Sequence, residues 1–214
     1  MKDHPILFSA PMVRAILDGR KSQTRRIIKP QPDAVLDGEP YWHIGGYRTR
    51  VGSKNPFFCP YGQPGDRLWV RETCRAEELP SGLDGVRYLA DEVFIPIENT
   101  EDASDAWISL AAYGQRLSGH PKCRKVPAIH MPRWASRITL EITGIRVERL
   151  QDISDADALD EGIYPVSTGI YPGAAKAEFR KLWESINSPG SWAANPCVWV
   201  VEFRRMAWRG MARI

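Results

Sequence analysis

The chain has 214 residues, 43% hydrophobic and 26% charged, the balance of a globular protein with a sizeable core. No apolar run is long enough to cross a bilayer, and the start of the chain lacks the basic-then-apolar pattern of a signal peptide. The expected setting is therefore cytoplasmic, without a membrane partner. A net charge of +3 does not call for a long nucleic-acid footprint.

Residues 5–8 (Pro-Ile-Leu-Phe) predict a short strand. Ser9 offers an N-cap oxygen, and Pro11 falls in the first helical turn, where its missing N–H costs nothing. Met12 and Ile16, with Ala15 and Leu17, form the apolar stripe of a helix of about two turns, and Gly19 suits its left-handed end. The segment that follows, Gly19-Arg20-Lys21-Ser22-Gln23-Thr24-Arg25-Arg26, has four cations and no acid. It runs into the apolar pair Ile27-Ile28. A tethered bend at the edge of the core, forming the floor of a small polar site, is expected there.

Residues 30–64 are rich in Pro, Gly, Tyr and Asp and predict an irregular excursion whose aromatics (Tyr41, Trp42, Phe57, Phe58, Tyr61) fold back on the body. Pro64-Gly65-Asp66 is a turn. It leads into a strand over Arg67–Thr73, where Leu68 and Val70 alternate with Arg67, Trp69 and Arg71. Further on, a strand is predicted over Val86–Ala90, a surface loop or helix start over Glu98–Asp105, and an exposed stretch over Gly119–Lys125. Residues 127–135 predict an apolar loop with polar tips. Ser136–Leu150 carries β-formers in near-alternation and predicts a long strand or a bent pair. Ser154 caps the next helix, with Asp155 and Asp157 near the positive end of its dipole, and Gly162 stops it. Ala174–Ile186 is the best helical pattern, with Phe179, Leu182, Trp183 and Ile186 on one stripe. Cys197–Phe203 predicts a final strand, and the Arg-rich tail beyond Arg204 is expected to fray. The eight tryptophans are expected mostly as core or pocket walls. The fold class is α+β, built on a small, mostly antiparallel barrel.

Several residues are candidates for chemistry. A buried lysine beside a threonine hydroxyl can activate it, which singles out Lys21 and Thr24, with Arg25 and Arg26 as a cationic field. Lys21 and Thr24 are neighbours in a tight turn but point to opposite faces of an extended strand. The plainer reading is a solvated basic turn. Glu161 closes a helix, where the negative dipole end raises a carboxyl pKa and suits a general acid; the plainer reading is a surface glutamate. Arg71 and Glu72 end a strand, as substrate contacts or as partners in a cross-strand salt bridge. His130, Arg133 and Trp134 lie on a Pro-flanked loop of pocket-wall character. Trp134 or Trp69 can stack a base and Arg133 can meet a phosphate or base edge. Otherwise the loop simply packs, with His130 satisfied by backbone.

Four cysteines (Cys59, Cys74, Cys123, Cys197) without a CxxC pair point to reduced thiols. His120 and Cys123, even with Cys59 and His130, lack the paired spacing of structural zinc, so no metal is expected. No P-loop, GxGxxG, GxSxG or HExxH motif is present, and no cofactor is expected.

Taken together, these residues resemble the ASCH domain, a small β-barrel related to the PUA RNA-binding fold. The resemblance rests on the first helix with Gly19-Arg20-Lys21-x-x-Thr24-x-Arg26, Gly65-Asp66 leading into Arg67–Thr73, the strand 136–148, the helix around Ala158–Gly162, the helix 174–186 and the closing strand Val198–Phe203. These segments cover about half of the chain. The resemblance implies one PUA-like domain over residues 1–206 with insertions at about 30–63 and 75–134 and a tail at 207–214, as in the longer ASCH proteins of phages and prophages. Within the family, a small bacterial amidohydrolase removes the acetyl group from N4-acetylcytidine. Similarity to it implies Thr24 as nucleophile on the acetyl carbonyl, Lys21 as its base and Glu161 as acid for the departing cytosine amine. The implied partner is a nucleoside or nucleobase, with RNA as an alternative. Other family members are assigned RNA binding or RNA cleavage. A module that binds RNA or a modified nucleotide without catalysis is thus the alternative, with a ribonuclease ranked below both. This sequence departs from the small enzyme in its large insertions, which line, narrow or block a pocket, and in having Ser22 and Gln23 between Lys21 and Thr24.

Overall fold

Alternating apolar residues become strands and capped segments become helices, giving a mixed α+β fold. A computed structural model describes residues 1–36, 39–44, 47–50, 59–118, 125–164 and 172–207. In chain order the elements are β1 (Asp3–Leu7), α1 (Ala10–Leu17), β2 (Gln23–Ile27), β3 (Ala34–Leu36), β4 (Glu39–Ile44), β5 (Tyr47–Arg50), β6 (Arg67–Arg71), β7 (Cys74–Glu78), β8 (Asp84–Tyr88), β9 (Val93–Pro96), α2 (Glu101–Ser118), β10 (Lys125–Val126), β11 (Thr139–Arg149), α3 (Asp155–Asp160), α4 (Ala174–Asn187) and β12 (Cys197–Arg205). The chain forms two compact units. The first comprises Met1–Lys2, Asp18–Asp66 and Glu141–Arg204; the second comprises Asp3–Leu17, Arg67–Leu140 and the described residues from Arg205 on. Among the described residues no sheet closes into a barrel, and no helix is long and apolar enough to cross a membrane.

In the first unit the strand order is β11-β12-β2. β12 runs antiparallel to β2, with Val200 opposite Arg25 and Val201 opposite Thr24. The turn at Gly65-Asp66 is pinned to β11: the Gly65 amide donates to the Ile142 carbonyl and the Ile142 amide to the Asp66 carbonyl, both at 2.9 Å. Val198 and Val200 of β12 pack with Ala158 of α3 and with Ala175, Phe179 and Trp183 of α4. Those α4 residues are spaced i, i+4, i+8, so the buried stripe is narrower than expected, and Ile186 is exposed. Between residues 30 and 64 the structure differs from the expected irregular excursion. β3, β4 and β5 form an antiparallel three-stranded sheet, and buried Trp42 donates its indole N–H to the Pro30 carbonyl. Phe57 and Phe58 lie outside the described residues.

In the second unit β1 pairs in parallel with β6, from Asp3 opposite Arg67 to Leu7 opposite Arg71. Leu68 and Val70 are buried, as their alternation predicts. β10-β7-β8-β9 is an antiparallel meander. Its core joins Ala76, Val86 and Tyr88 to Trp107, Leu110 and Ala111 of α2. The acidic patch at 98–105 thus starts a long helix. Thr100 caps it, its hydroxyl accepting from the Ala103 amide, and Glu101 and Asp102 occupy the first turn. Gly85 of β8 is required by close approach, since a Cβ there would lie 2.3 Å from Phe94 Cζ and 2.5 Å from the Ile95 carbonyl oxygen. In α1 the buried residues are Val13, Ala15 and Ile16, so Val13 takes the core place expected for Met12.

Candidate functional site

The basic segment after Gly19 is extended, and the expected bend does not form. Its backbone finds partners along its length: the Ser22 amide donates to the Asp160 carbonyl at 2.8 Å, the Ser22 carbonyl accepts from the Phe203 amide at 2.8 Å, and β2 pairs with β12. Satisfied main-chain groups hold the chain straight. Lys21 forms an antiparallel bridge with Glu161, which caps the C-terminal end of α3. A capping box starts that helix. Ser154 accepts from the Asp157 amide, the Asp157 side chain accepts from the Ser154 amide, and Gly162, at φ +86°, turns the chain away after Glu161.

Lys21 and Glu161 meet in the interior of the first unit. The Lys21 ammonium donates to Glu161 Oε2 at 2.7 Å and to the carbonyls of Glu161 and Gln23 at 2.8 Å each, three acceptors for three protons. The side chains are 1% and 5% exposed. Burial pushes the Lys21 pKa down from its ordinary value. The charge and hydrogen bond of Glu161 pull it back, and Arg26 and Arg25 add to the downward push.

Gln23 and Arg25, two apart on β2, turn to the same face. Gln23 Nε2 donates to the Asp157 carbonyl at 2.8 Å and to Asp157 Oδ1 at 2.9 Å. The fully buried Arg25 guanidinium reaches Glu148 at 3.0 Å, Glu161 at 3.4 Å and Asp157 at 3.5 Å. Arg146 extends the network to Glu148, Glu202 and Asp157. Thr24, 4% exposed, lies between Gln23 and Arg25, so the pleat turns its side chain to the other face. Lys21 approaches Thr24 through the carbonyl of the peptide bond joining Gln23 to Thr24. Arg26 shares the Thr24 face and lies close enough to Tyr61 for its charge to oppose the rise in Tyr61 pKa that burial causes.

The other expected substrate contacts belong to the second unit. Glu72, 1% exposed, is held by both oxygens to Arg137 at 2.8 and 2.9 Å. It is thus an ion-pair partner, with Arg137 and not Arg71 as its cation. Burial raises its pKa and Arg137 counters that rise. Arg71 donates to the Met131 carbonyl, and Arg133 pairs with Asp3 at 3.0 Å. Their guanidinium carbons lie 5.1 and 5.6 Å from the centre of the half-buried Trp69 ring. His130 Nδ1 is 2.9 Å from the Tyr113 hydroxyl, a side-chain partner where a backbone one was expected. Trp134 packs against the core of this unit.

Cys59, Cys74 and Cys197 are free, buried thiols, and burial pushes Cys59 up to about 11 and Cys74 up to about 12. Among the described residues no group of three or more His, Cys, Asp or Glu is placed to hold a metal ion. His120 and Cys123 lie outside the described residues.

Gln23, Arg146, Glu148 and Asp157 were not among the expected site residues. Asp157 was legible only as a helix-start residue. Its second role depends on Gln23, more than a hundred residues away. Burial disfavours the ionised Asp157, but hydrogen bonds from Ser154 and Gln23 and the charge of Arg25 outweigh it and hold its carboxyl well below the usual range. A carboxyl whose folded pKa lies below its unfolded value of ~3.9 adds stability above that pH and loses it as the pH falls. Asp157→Asn should therefore flatten the acid limb of the stability curve, measured as urea midpoints between about pH 5 and pH 2. An unchanged slope would mean that Asp157 is not coupled to folding.

No protein-family model matches the chain, and no curated protein or solved structure matches it.

Proposed function

We propose that the first unit carries an amidohydrolase site for N4-acylated cytosine nucleosides, in a cytoplasmic, PUA-like ASCH protein of the longer phage type. The observation that supports this reading is the contact between Lys21 and Glu161. These buried groups, 140 positions apart, meet at 2.7 Å beside the peptide that leads into Thr24. In the proposed reaction Thr24 Oγ1 attacks the acyl carbon and its proton passes to neutral Lys21. Burial and the nearby arginines favour that neutral form by lowering the lysine pKa. The tetrahedral oxyanion collapses, the C–N bond breaks, and the cytosine amine leaves with a proton delivered by Glu161 and resupplied from Lys21. Water then cleaves the Thr24 ester, releasing the carboxylic acid and restoring the hydroxyl. Arg25 and Arg26 supply positive charge around the centre.

A second reading, binding of a modified nucleoside or RNA without chemistry, is favoured by the pleat, which turns Thr24 away from the Gln23 and Arg25 face, and by the three acceptors that already engage the Lys21 ammonium. The two separate in one experiment. The protein is incubated with N4-acetylcytidine, cytidine release is followed by chromatography, and binding is measured by calorimetry. The first reading expects turnover that falls by about 10²–10⁴ in Thr24→Val. Binding without turnover supports the second; no turnover rejects the first, and no binding of the nucleoside or of any oligonucleotide at low salt rejects the second.

A further inference from the structure

The second unit contains a cavity of about 390 Å³, within the size range of small-molecule sites. Its wall combines the end of α1, β9 and the segment that follows β12. Leu17, Ile95, Ile138 and Met206 make it apolar, and its two charged residues, Arg137 and Arg205, are both guanidiniums. The segment after β12 is fixed in place, the Met206 amide donating to the Thr139 carbonyl at 2.9 Å.

The two arginines differ. Arg137 is buried, its side chain 6% exposed, and four of its five N–H groups are engaged: Nε and one Nη2 proton with Glu72, the other Nη2 proton and one Nη1 proton with Asp91. Among the described residues the other Nη1 proton has no acceptor. Its charge is matched by two carboxylates that are not part of the cavity wall, and these four bonds hold its guanidinium in place. Arg205 is exposed. Its Nη1 donates to the Leu17 carbonyl at 2.9 Å, and it has no ion-pair partner among the described residues. Its charge is therefore available to a ligand.

We propose that this cavity is a binding site for a small amphipathic carboxylate, its apolar body against Leu17, Ile95, Ile138 and Met206. Its carboxylate pairs with Arg205 and accepts the remaining Arg137 proton. The site belongs to the second unit and is independent of the Lys21–Glu161 centre.

Octanoate is the probe, titrated into the full chain by calorimetry with octanol as the uncharged control. Wild type should bind one octanoate, at least about tenfold more tightly than octanol, the factor expected for one charge-assisted hydrogen bond. Arg205→Gln, a surface change, should remove about that tenfold preference while leaving octanol binding unchanged. Ile95→Trp, which places an indole in the cavity, should abolish binding of both, with folding checked by circular dichroism. Failure of wild type to bind octanoate would overturn the proposal. So would equal affinity for octanoate and octanol, or wild-type affinity in Arg205→Gln. Loss or retention of N4-acetylcytidine hydrolysis bears on the other site and not on this one.

Discussion

Arg137→Leu is expected to destabilise the protein by about 3–5 kcal/mol, the cost of leaving a buried charge without its partner. Arg137 is the only cation that pairs with Glu72 among the described residues, and it also pairs with Asp91 at 2.9 Å. Its guanidinium lies 4.2 Å from the centre of the Tyr88 ring, and Tyr88 is wholly buried in the core of the second unit. Leucine fills part of the volume but leaves two carboxylates facing each other, one of them fully buried.

The pH dependence identifies the cause. Burial already raises the Glu72 pKa above its ordinary value, and Arg137 opposes that rise. Without Arg137 it rises further. A carboxyl with a raised folded pKa contributes its full stability below the unfolded value of ~4.3 and loses it as the pH climbs through the folded pKa. The Arg137→Leu deficit should therefore be largest at neutral pH and shrink as the pH falls toward about 5. Adding Glu72→Gln should recover much of it at neutral pH. Urea midpoints at the two pH values decide the matter, and a deficit independent of pH would show that lost packing, not the orphaned carboxylate, is responsible.

The second large effect is expected at Lys21. Lys21→Met keeps the length and apolar stem of the side chain but leaves Glu161, 5% exposed, with the longer 3.4 Å contact to Arg25. A loss of about 3–5 kcal/mol is expected, and Lys21→Met with Glu161→Gln should be more stable than Lys21→Met alone. Chemical denaturation of the two variants checks this; a double variant no better than the single one would count against a coupled pair. The same double variant separates stability from chemistry, because a protein refolded by Glu161→Gln still lacks the proposed base.

Local order was legible in the sequence because it depends on neighbours. Leu68 and Val70 are buried where alternation put them. Ser154 and Gly162 bound α3 because a hydroxyl acceptor and a left-handed glycine act within one turn. The mixed α+β class follows from the same cues. Some readable signal was missed. Ala103, Trp107, Leu110 and Ala111 keep helical spacing, which extends the expected helix start at 98–105 into the full length of α2. In residues 30–64 the prolines and glycines obscured three short strands whose pairing supplies what their composition does not.

The basic stretch marks the division most clearly. Its composition, four cations without an acid in eight residues, singled it out as a polar site, and the resemblance named Glu161 as its distant partner. Whether it bends or extends was settled by backbone partners on α3 and β12, all more than a hundred residues downstream. That extension places Gln23 and Arg25 on the acidic network and turns Thr24 to the other side. Sequence alone therefore determined the caps of α3, the apolar alternation of β6 and the charge content of the site. The tertiary structure decided its geometry, because the face a strand residue occupies and the carboxylate a buried cation meets are set by non-local pairing, which no local pattern encodes.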